Sequence, residues 1–99
     1  MIEIKKTIEF ETWYQSLREK EQTQIDARLQ RIENAGHFGD AKYLGDGLAE
    51  LRWKNGWRIY FFKESLTGIV LIIGGSKNAQ EKDIQRARLL LRRYADFNP

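Results

Sequence analysis

The stretch Leu48-Ala49-Glu50-Leu51-Arg52-Trp53-Lys54-Asn55-Gly56-Trp57-Arg58-Ile59-Tyr60-Phe61-Phe62-Lys63 decides the fold. It has no helical period and is dense in aromatic and β-branched residues set between polar ones, the composition of paired strands. Asn55-Gly56 marks the turn, and the length of the loop fixes which side chains share a face. A two-residue loop would pair Trp53 with Arg58 and Arg52 with Ile59, mixing charge and core on both faces. A three-residue loop, Lys54-Asn55-Gly56 with Gly56 left-handed, pairs Trp53 with Trp57, Leu51 with Ile59 and Arg52 with Arg58. The faces then separate. Leu51, Trp53, Trp57, Ile59 and Phe61 point to the core, and Glu50, Arg52, Lys54, Arg58 and Tyr60 point the other way.

Downstream, Gly68 to Gly75 is continuously apolar at its centre, Ile69 to Ile73, which predicts a central strand buried on both faces. A polar segment, Ser76-Lys77-Asn78-Ala79-Gln80, leads into a last helix with its core stripe at Ile84, Ala87, Leu91, Tyr94 and Ala95. Upstream, Gly39-Asp40 and Gly45-Asp46-Gly47 punctuate the chain. Before them, Ile25, Leu29, Ile32 and Ala35 form the stripe of a helix whose other faces carry Asp26, Arg28, Arg31 and Glu33, with Gly36 as its left-handed cap. Phe10, Trp13, Tyr14 and Leu17 have the spacing of a shorter helix, so the two form an antiparallel hairpin. At the N-terminus Ile2, Ile4, Ile8 and Phe10 alternate with polar residues, as in a strand with one buried face. Strand, helix, helix, three or four strands and helix make an α+β domain: a mainly antiparallel twisted sheet packed against an N-terminal helical hairpin and a C-terminal helix.

The 99 residues allow one domain, 1–99, around one core. With no Cys and one His, thiolate metal sites, iron–sulfur clusters, cysteine nucleophiles and His clusters are excluded, and no metal or other cofactor is expected. No targeting signal or membrane span is visible, and the cytoplasm is the expected compartment. His37 has no nearby acidic or nucleophilic partner and reads as a loop residue. Glu9 and Glu11 are local neighbours, and Glu81 and Asp83 oppose the dipole of the last helix. The glycines match neither a Walker nor a dinucleotide fingerprint.

Charge is the informative remainder. Residues 1–50 hold seven Lys/Arg against ten Asp/Glu, a net −3, whereas residues 51–99 hold ten against four, a net +6. Arg52, Lys54 and Arg58 on the non-core sheet face, with Lys77 from the following loop, converge on one surface. Like charges opposite each other across strands are destabilising, so the Arg52/Arg58 pair predicts an anion between them, a phosphate above all. Tyr60, Asn78, Gln80, Lys82 and Arg86 extend that surface and are the expected RNA contacts, with cations on phosphates and the tyrosine ring beneath a base.

Three runs taken together carry a family resemblance: Tyr43 to Arg52 (YLGDGLAELR), Gly56 to Phe61 (GWRIYF) and Leu71 to Ile84 (LIIGGSKNAQEKDI). They resemble the RelE/ParE toxin superfamily, in its HigB-like "addiction module killer protein" branch, over nearly the whole chain. The resemblance implies the toxin of a type II toxin–antitoxin module, an mRNA interferase that cuts mRNA in the ribosome. Its implied partner is a cognate antitoxin with a helix-turn-helix DNA-binding domain, through which it meets operator DNA indirectly. The resemblance also implies site residues: Arg58 stands at the arginine of the family's G-[YW]-R motif, Arg52 and Lys54 on the basic strand before it, and Lys77 after the last core strand. The tyrosine that follows the basic loop in RelE-like enzymes has no counterpart, since Lys82, Asp83 and Ile84 occupy that stretch, and the HigB-like histidines are absent. The general acid and base are therefore unassigned, with Lys54 and Lys77 as candidates. The alternative function within the superfamily is a ParE-like DNA gyrase inhibitor without RNA cleavage. Arg86, Arg88, Arg92 and Arg93, together with the cation face, are the expected contacts of an acidic antitoxin tail.

Overall fold

The computed structural model describes residues 1–97, with side chains as far as Tyr94. Its elements are β1 (Glu3–Lys6), α1 (Ile8–Gln15), α2 (Glu19–Ala35), β2 (Ala41–Gly45), β3 (Leu48–Arg52), β4 (Trp57–Ser65), β5 (Gly68–Ser76), a short 3-10 turn (Lys77–Ala79) and α3 (Gln80–Phe97). The sheet order is β1-β5-β4-β3-β2. β2 to β5 form an antiparallel meander, and β1 returns to pair parallel with β5.

The β3–β4 register is the one the three-residue loop predicts: Leu51 lies opposite Ile59 and Arg52 opposite Arg58. Trp53 N–H donates to Trp57 O at 3.0 Å, and Gly56 takes φ of 102°. The consequence is a two-sided sheet. On one face Leu51, Ile59, Phe61, Ile69 and Leu71 pack with Phe10 of α1 and Ile25, Leu29 and Ile32 of α2. On the other, Leu48, Tyr60, Ile72 and Ile73 pack with Ala87 of α3, flanked by Ile84, Leu90 and Leu91. Tyr94 of α3 meets Phe62 edge-on at 5.6 Å. Ala95, expected on the same stripe, lies outside the residues whose side chains are described.

Several local expectations are corrected. The N-terminal strand stops at Lys6, because Thr7 is an N-cap whose hydroxyl accepts from Phe10 N–H at 3.0 Å. Ile8 therefore opens α1 and is 82% exposed, whereas Phe10 is buried by helical rather than strand spacing. The α2 stripe ends at Ile32, since Ala35 is exposed beside the left-handed Gly36 cap. Arg28, expected on an outer face of α2, is buried. β5 is not the middle strand; β1 lies outside it, and β4 occupies the centre. The predicted burial of both faces of β5 holds, because helices cover the sheet on each side.

Gly74 and Gly75 are demanded by close approach from opposite sides. A Cβ on Gly74 would overlap the Trp13 ring of α1, and a Cβ on Gly75 would overlap the Asp83 carboxylate of α3. Trp13 is held against Trp57 edge-on, at 5.9 Å between ring centroids, so its ring has little room to retreat. Gly74→Ala is therefore expected to destabilise the fold by about 1–3 kcal/mol, read as a lower urea midpoint at unchanged slope.

Candidate nucleic-acid interface and active site

The β3–β4 loop gathers the expected cations. Arg52 and Arg58 are cross-strand neighbours, and Lys54 is exposed in the loop that joins their strands. Lys77 begins the 3-10 turn. Its N–H donates to Gly56 O at 2.8 Å, and its aliphatic stem lies 3.4–3.5 Å from where a Gly56 Cβ would sit. Four cations from three segments of the chain thus share one end of the sheet.

The two arginines are held differently. Arg52 is paired with Asp40, Nη2 to Oδ1 at 3.2 Å, so the protein itself supplies one carboxylate to the Arg52/Arg58 face. Arg58 Nη1 donates to the carbonyl of Trp57 at 3.0 Å, while its Nε is buried without a protein partner. Arg58 is thus the less neutralised of the pair, with no carboxylate in salt-bridge range among the described residues.

Support comes from the helical hairpin through Arg28. Its guanidinium donates to the carbonyls of Phe38 (2.7 and 3.0 Å), Asp40 (2.8 Å) and Arg52, and stands 4.4 Å over the Trp53 ring. Burial holds its pKa below the ordinary arginine value, with nearby Asp40 opposing that shift. The side chain was expected on a solvated face. It instead donates to the Phe38 and Arg52 carbonyls and shares the Asp40 carbonyl with the Arg52 N–H, tying the segment that leads into β2 to the end of β3.

Among the expected RNA contacts, Asn78, Lys82 and Arg86 are exposed. Arg86 turns toward α1, lining an open cavity with Ile8, Glu9, Thr12 and Trp13. Two expectations are corrected. Tyr60 is fully buried beneath α3, so its ring cannot stack on a base. Gln80 is committed to Glu50, its amide donating to the two carboxylate oxygens at 3.2 and 3.1 Å. Both corrections have one cause: α3 crosses the face that the strand alternation leaves open. For the same reason Arg88 is not free for an antitoxin tail, because it donates to Leu44 O at 2.9 Å and Gly45 O at 3.1 Å. Arg92 and Arg93 remain exposed.

Beneath the start of α3 lies a group that the strand pattern alone did not single out. Glu50 is fully buried, and Tyr60 lies directly opposite it on β4. The Tyr60 hydroxyl has no protein hydrogen-bond partner. Burial raises its pKa far above the ordinary phenol range, reinforced by the charges of Glu50 and Asp83 and opposed by Arg58. Asp83 reaches down from the first turn of α3 onto Gly75, which pairs with Arg58. Burial raises the Asp83 pKa, and Arg86 pulls against that shift. The signal in the sequence was the register, which puts Glu50 on the cation face, together with the glycine pair. The helix that completes the group lies 30 residues away along the chain. Among the described residues no His, Cys, Asp or Glu cluster could hold a metal ion.

No family model matches the chain. A Haemophilus influenzae protein, described only as uncharacterized, is 38% identical over 92 residues, covering 90% of this chain and 92% of that one. The fold is similar to that of the isolated E. coli RelE toxin, with TM-score 0.65, 11% identity and coverage of 87% of this chain and 98% of that one. It is equally similar to a chain of the intact E. coli RelBE toxin–antitoxin complex, with TM-score 0.65, 11% identity and coverage of 77% and 96%. The conserved hypothetical protein HP0894 from Helicobacter pylori follows, with TM-score 0.58, 14% identity and coverage of 79% and 97%.

Two substitutions check this geometry. Tyr60→Phe removes a desolvated hydroxyl that has no protein partner, so thermal or urea unfolding is expected to show unchanged or slightly higher stability, by up to about 1 kcal/mol. Arg28→Ala removes the side-chain donors to the Phe38, Asp40 and Arg52 carbonyls, of which Asp40 keeps the Arg52 N–H, and uncovers Trp53; the same assay is expected to show a loss of about 2–4 kcal/mol.

Proposed function

We propose that this chain, which belongs to one family with the Haemophilus influenzae protein and has the RelE fold, is the toxin of a type II toxin–antitoxin module and acts as a ribosome-dependent mRNA endoribonuclease. The observation that carries the reading is the convergence of Arg52, Arg58, Lys54 and Lys77 at one end of the sheet, with Arg58 Nε buried and unpartnered. RNA cleavage by the neighbouring 2′-hydroxyl needs the nucleophile aligned and the over-charged phosphorane stabilised. Arg58 supplies the second requirement. Its guanidinium is fixed by the Trp57 carbonyl, and its charge, with no carboxylate in salt-bridge range among the described residues, is the one a phosphate would meet. Lys54 and Lys77 are exposed and serve as mobile point charges around it.

A basic face of this size also suits an acidic antitoxin segment, which would cover Lys54, Lys77, Lys82, Arg92 and Arg93 and so block RNA by occupying the same cations. The RelBE complex supports a partner of this kind by its fold likeness. Alignment of the 2′-hydroxyl falls to the ribosome in this reading, and the isolated protein is expected to be nearly inactive on free RNA.

Brief expression in bacteria, with new mRNA 5′ ends mapped by primer extension, tests the reading. Cuts within translated codons are expected from the wild-type chain, and Arg58→Ala is expected to abolish both cuts and growth arrest while its circular dichroism stays native. Arrest with intact mRNA would replace the nuclease by a gyrase inhibitor.

A further inference from the structure

The cations stabilise charge, but a 2′-hydroxyl must also lose a proton, and the cation face itself offers no unpaired carboxylate, since Asp40 is held by Arg52. The start of α3 does. Asp83 rests its carboxylate against the backbone of Gly75, in space that only a glycine leaves open, and Gly75 is the cross-strand partner of Arg58. An inter-strand pair of this kind separates Cα atoms by about 4.5–5.5 Å. The proton acceptor is thereby placed one strand away from the cation that holds the phosphate. Asp83 makes no ion pair within 4.0 Å among the described residues, and the residue is partly exposed rather than buried.

The floor beneath it is built rather than incidental. Glu50 is fully buried and held by the Gln80 amide, and Tyr60 is fully buried with its hydroxyl lacking a protein acceptor. Within electrostatic reach of that hydroxyl stand two carboxylates, Glu50 and Asp83, and one cation, Arg58. Asp83 feels the charge of Arg86 on its own helix and the Tyr60 hydroxyl on β4, around which Glu50 of β3 and Arg58 of β4 also act; β5 contributes only the Gly75 backbone there, and Lys77 precedes the helix in the 3-10 turn.

We propose that Asp83 is the catalytic base of the cation face, a role that rests on the nuclease reading above. Its carboxylate takes the proton of the 2′-hydroxyl as the 2′-oxygen bonds to phosphorus, and the phosphorus–O5′ bond breaks. The departing 5′-oxygen takes a proton from the Lys77 ammonium, leaving a 2′,3′-cyclic phosphate and a 5′-hydroxyl. Solvent later restores the proton to Lys77 and removes one from Asp83. Arg58 balances the extra phosphorane charge throughout. The ionised carboxylate is the active form, so activity is present above its pKa and lost as pH falls through it. Burial sets that loss at higher pH than for an ordinary aspartate, whose reference value is 3.8.

The test is single-turnover cleavage of a short mRNA programmed on purified bacterial ribosomes, as a function of pH. Wild-type protein is expected to show an acid limb above the ordinary aspartate range. Asp83→Asn is expected to lose about 100-fold or more in rate, to lose that limb, and to keep wild-type ribosome binding. Gly75→Ala, which pushes the carboxylate out of its seat without removing it, is expected to lower the rate and move the limb toward ordinary aspartate. If Asp83→Asn fails to fold, the wild-type limb and Gly75→Ala carry the test alone. Wild-type cleavage with an unshifted or absent acid limb, or an Asp83→Asn rate equal to wild type, overturns the assignment of Asp83 and leaves the nuclease standing. Wild-type protein that binds programmed ribosomes and leaves mRNA intact overturns the nuclease reading and, with it, this one.

Discussion

Everything in the molecule depends on the register of one β-hairpin. Gly56 in its left-handed conformation makes a three-residue loop of Lys54-Asn55-Gly56, and that loop length places Leu51 against Ile59 and Arg52 against Arg58. Because side chains alternate with a period of two, a slip of one residue would send Leu51, Ile59 and Phe61 to the face of Glu50 and Tyr60. The hydrophobic cost of such a slip holds two arginines opposite each other despite their repulsion. Asp40 relieves part of it, and Arg58 is left with a buried donor that the protein does not satisfy.

The sheet defined by that register is covered on both faces, and the two coverings meet at Gly74-Gly75. Trp13 presses in from the helical hairpin and Asp83 from α3, each filling the place of a missing Cβ. The helices thus reach β5 at consecutive residues from opposite sides, near the loop end where the cations collect. α3 serves as a lid over Glu50 and Tyr60 and as the carrier of Asp83. The helical hairpin contributes through Arg28, which clasps the carbonyls of Phe38, Asp40 and Arg52 and so holds the Asp40–Arg52 pair in place. A buried arginine is tolerated because its donors meet carbonyls and its flat face lies over Trp53.

Local patterns in the sequence were reliable where one physical preference acted alone. The hairpin register, the Gly36 cap and the apolar stripes at Ile25, Leu29, Ile32 and at Ile84, Ala87, Leu91 all follow from periodicity and glycine stereochemistry. They failed where two preferences competed. At Thr7 the capping hydroxyl ends the alternation early and turns Ile8 outward. At Arg28 the helical wheel predicts a solvated charge, but the carbonyls of Phe38, Asp40 and Arg52 draw the side chain inward. The Arg52, Lys54, Arg58 and Lys77 cluster was legible because the register and one adjacent loop suffice to assemble it. Tyr60 and Gln80 were misplaced because their surroundings belong to a helix far along the chain.

By itself, the sequence determined the class of fold, the strand register and the end of the sheet where cations gather. These depend on residue type, on period and on near neighbours, all of which act over a few residues. Only the tertiary structure decided which face of β4 is open to solvent, that Glu50 and Tyr60 lie beneath α3, that Arg28 supports the Asp40 loop, and that Asp83 rests on Gly75, the cross-strand partner of Arg58. Those facts depend on where α3 and the helical hairpin land on the sheet. Landing is set by shape and close packing between segments dozens of residues apart, and no local period in a chain records it.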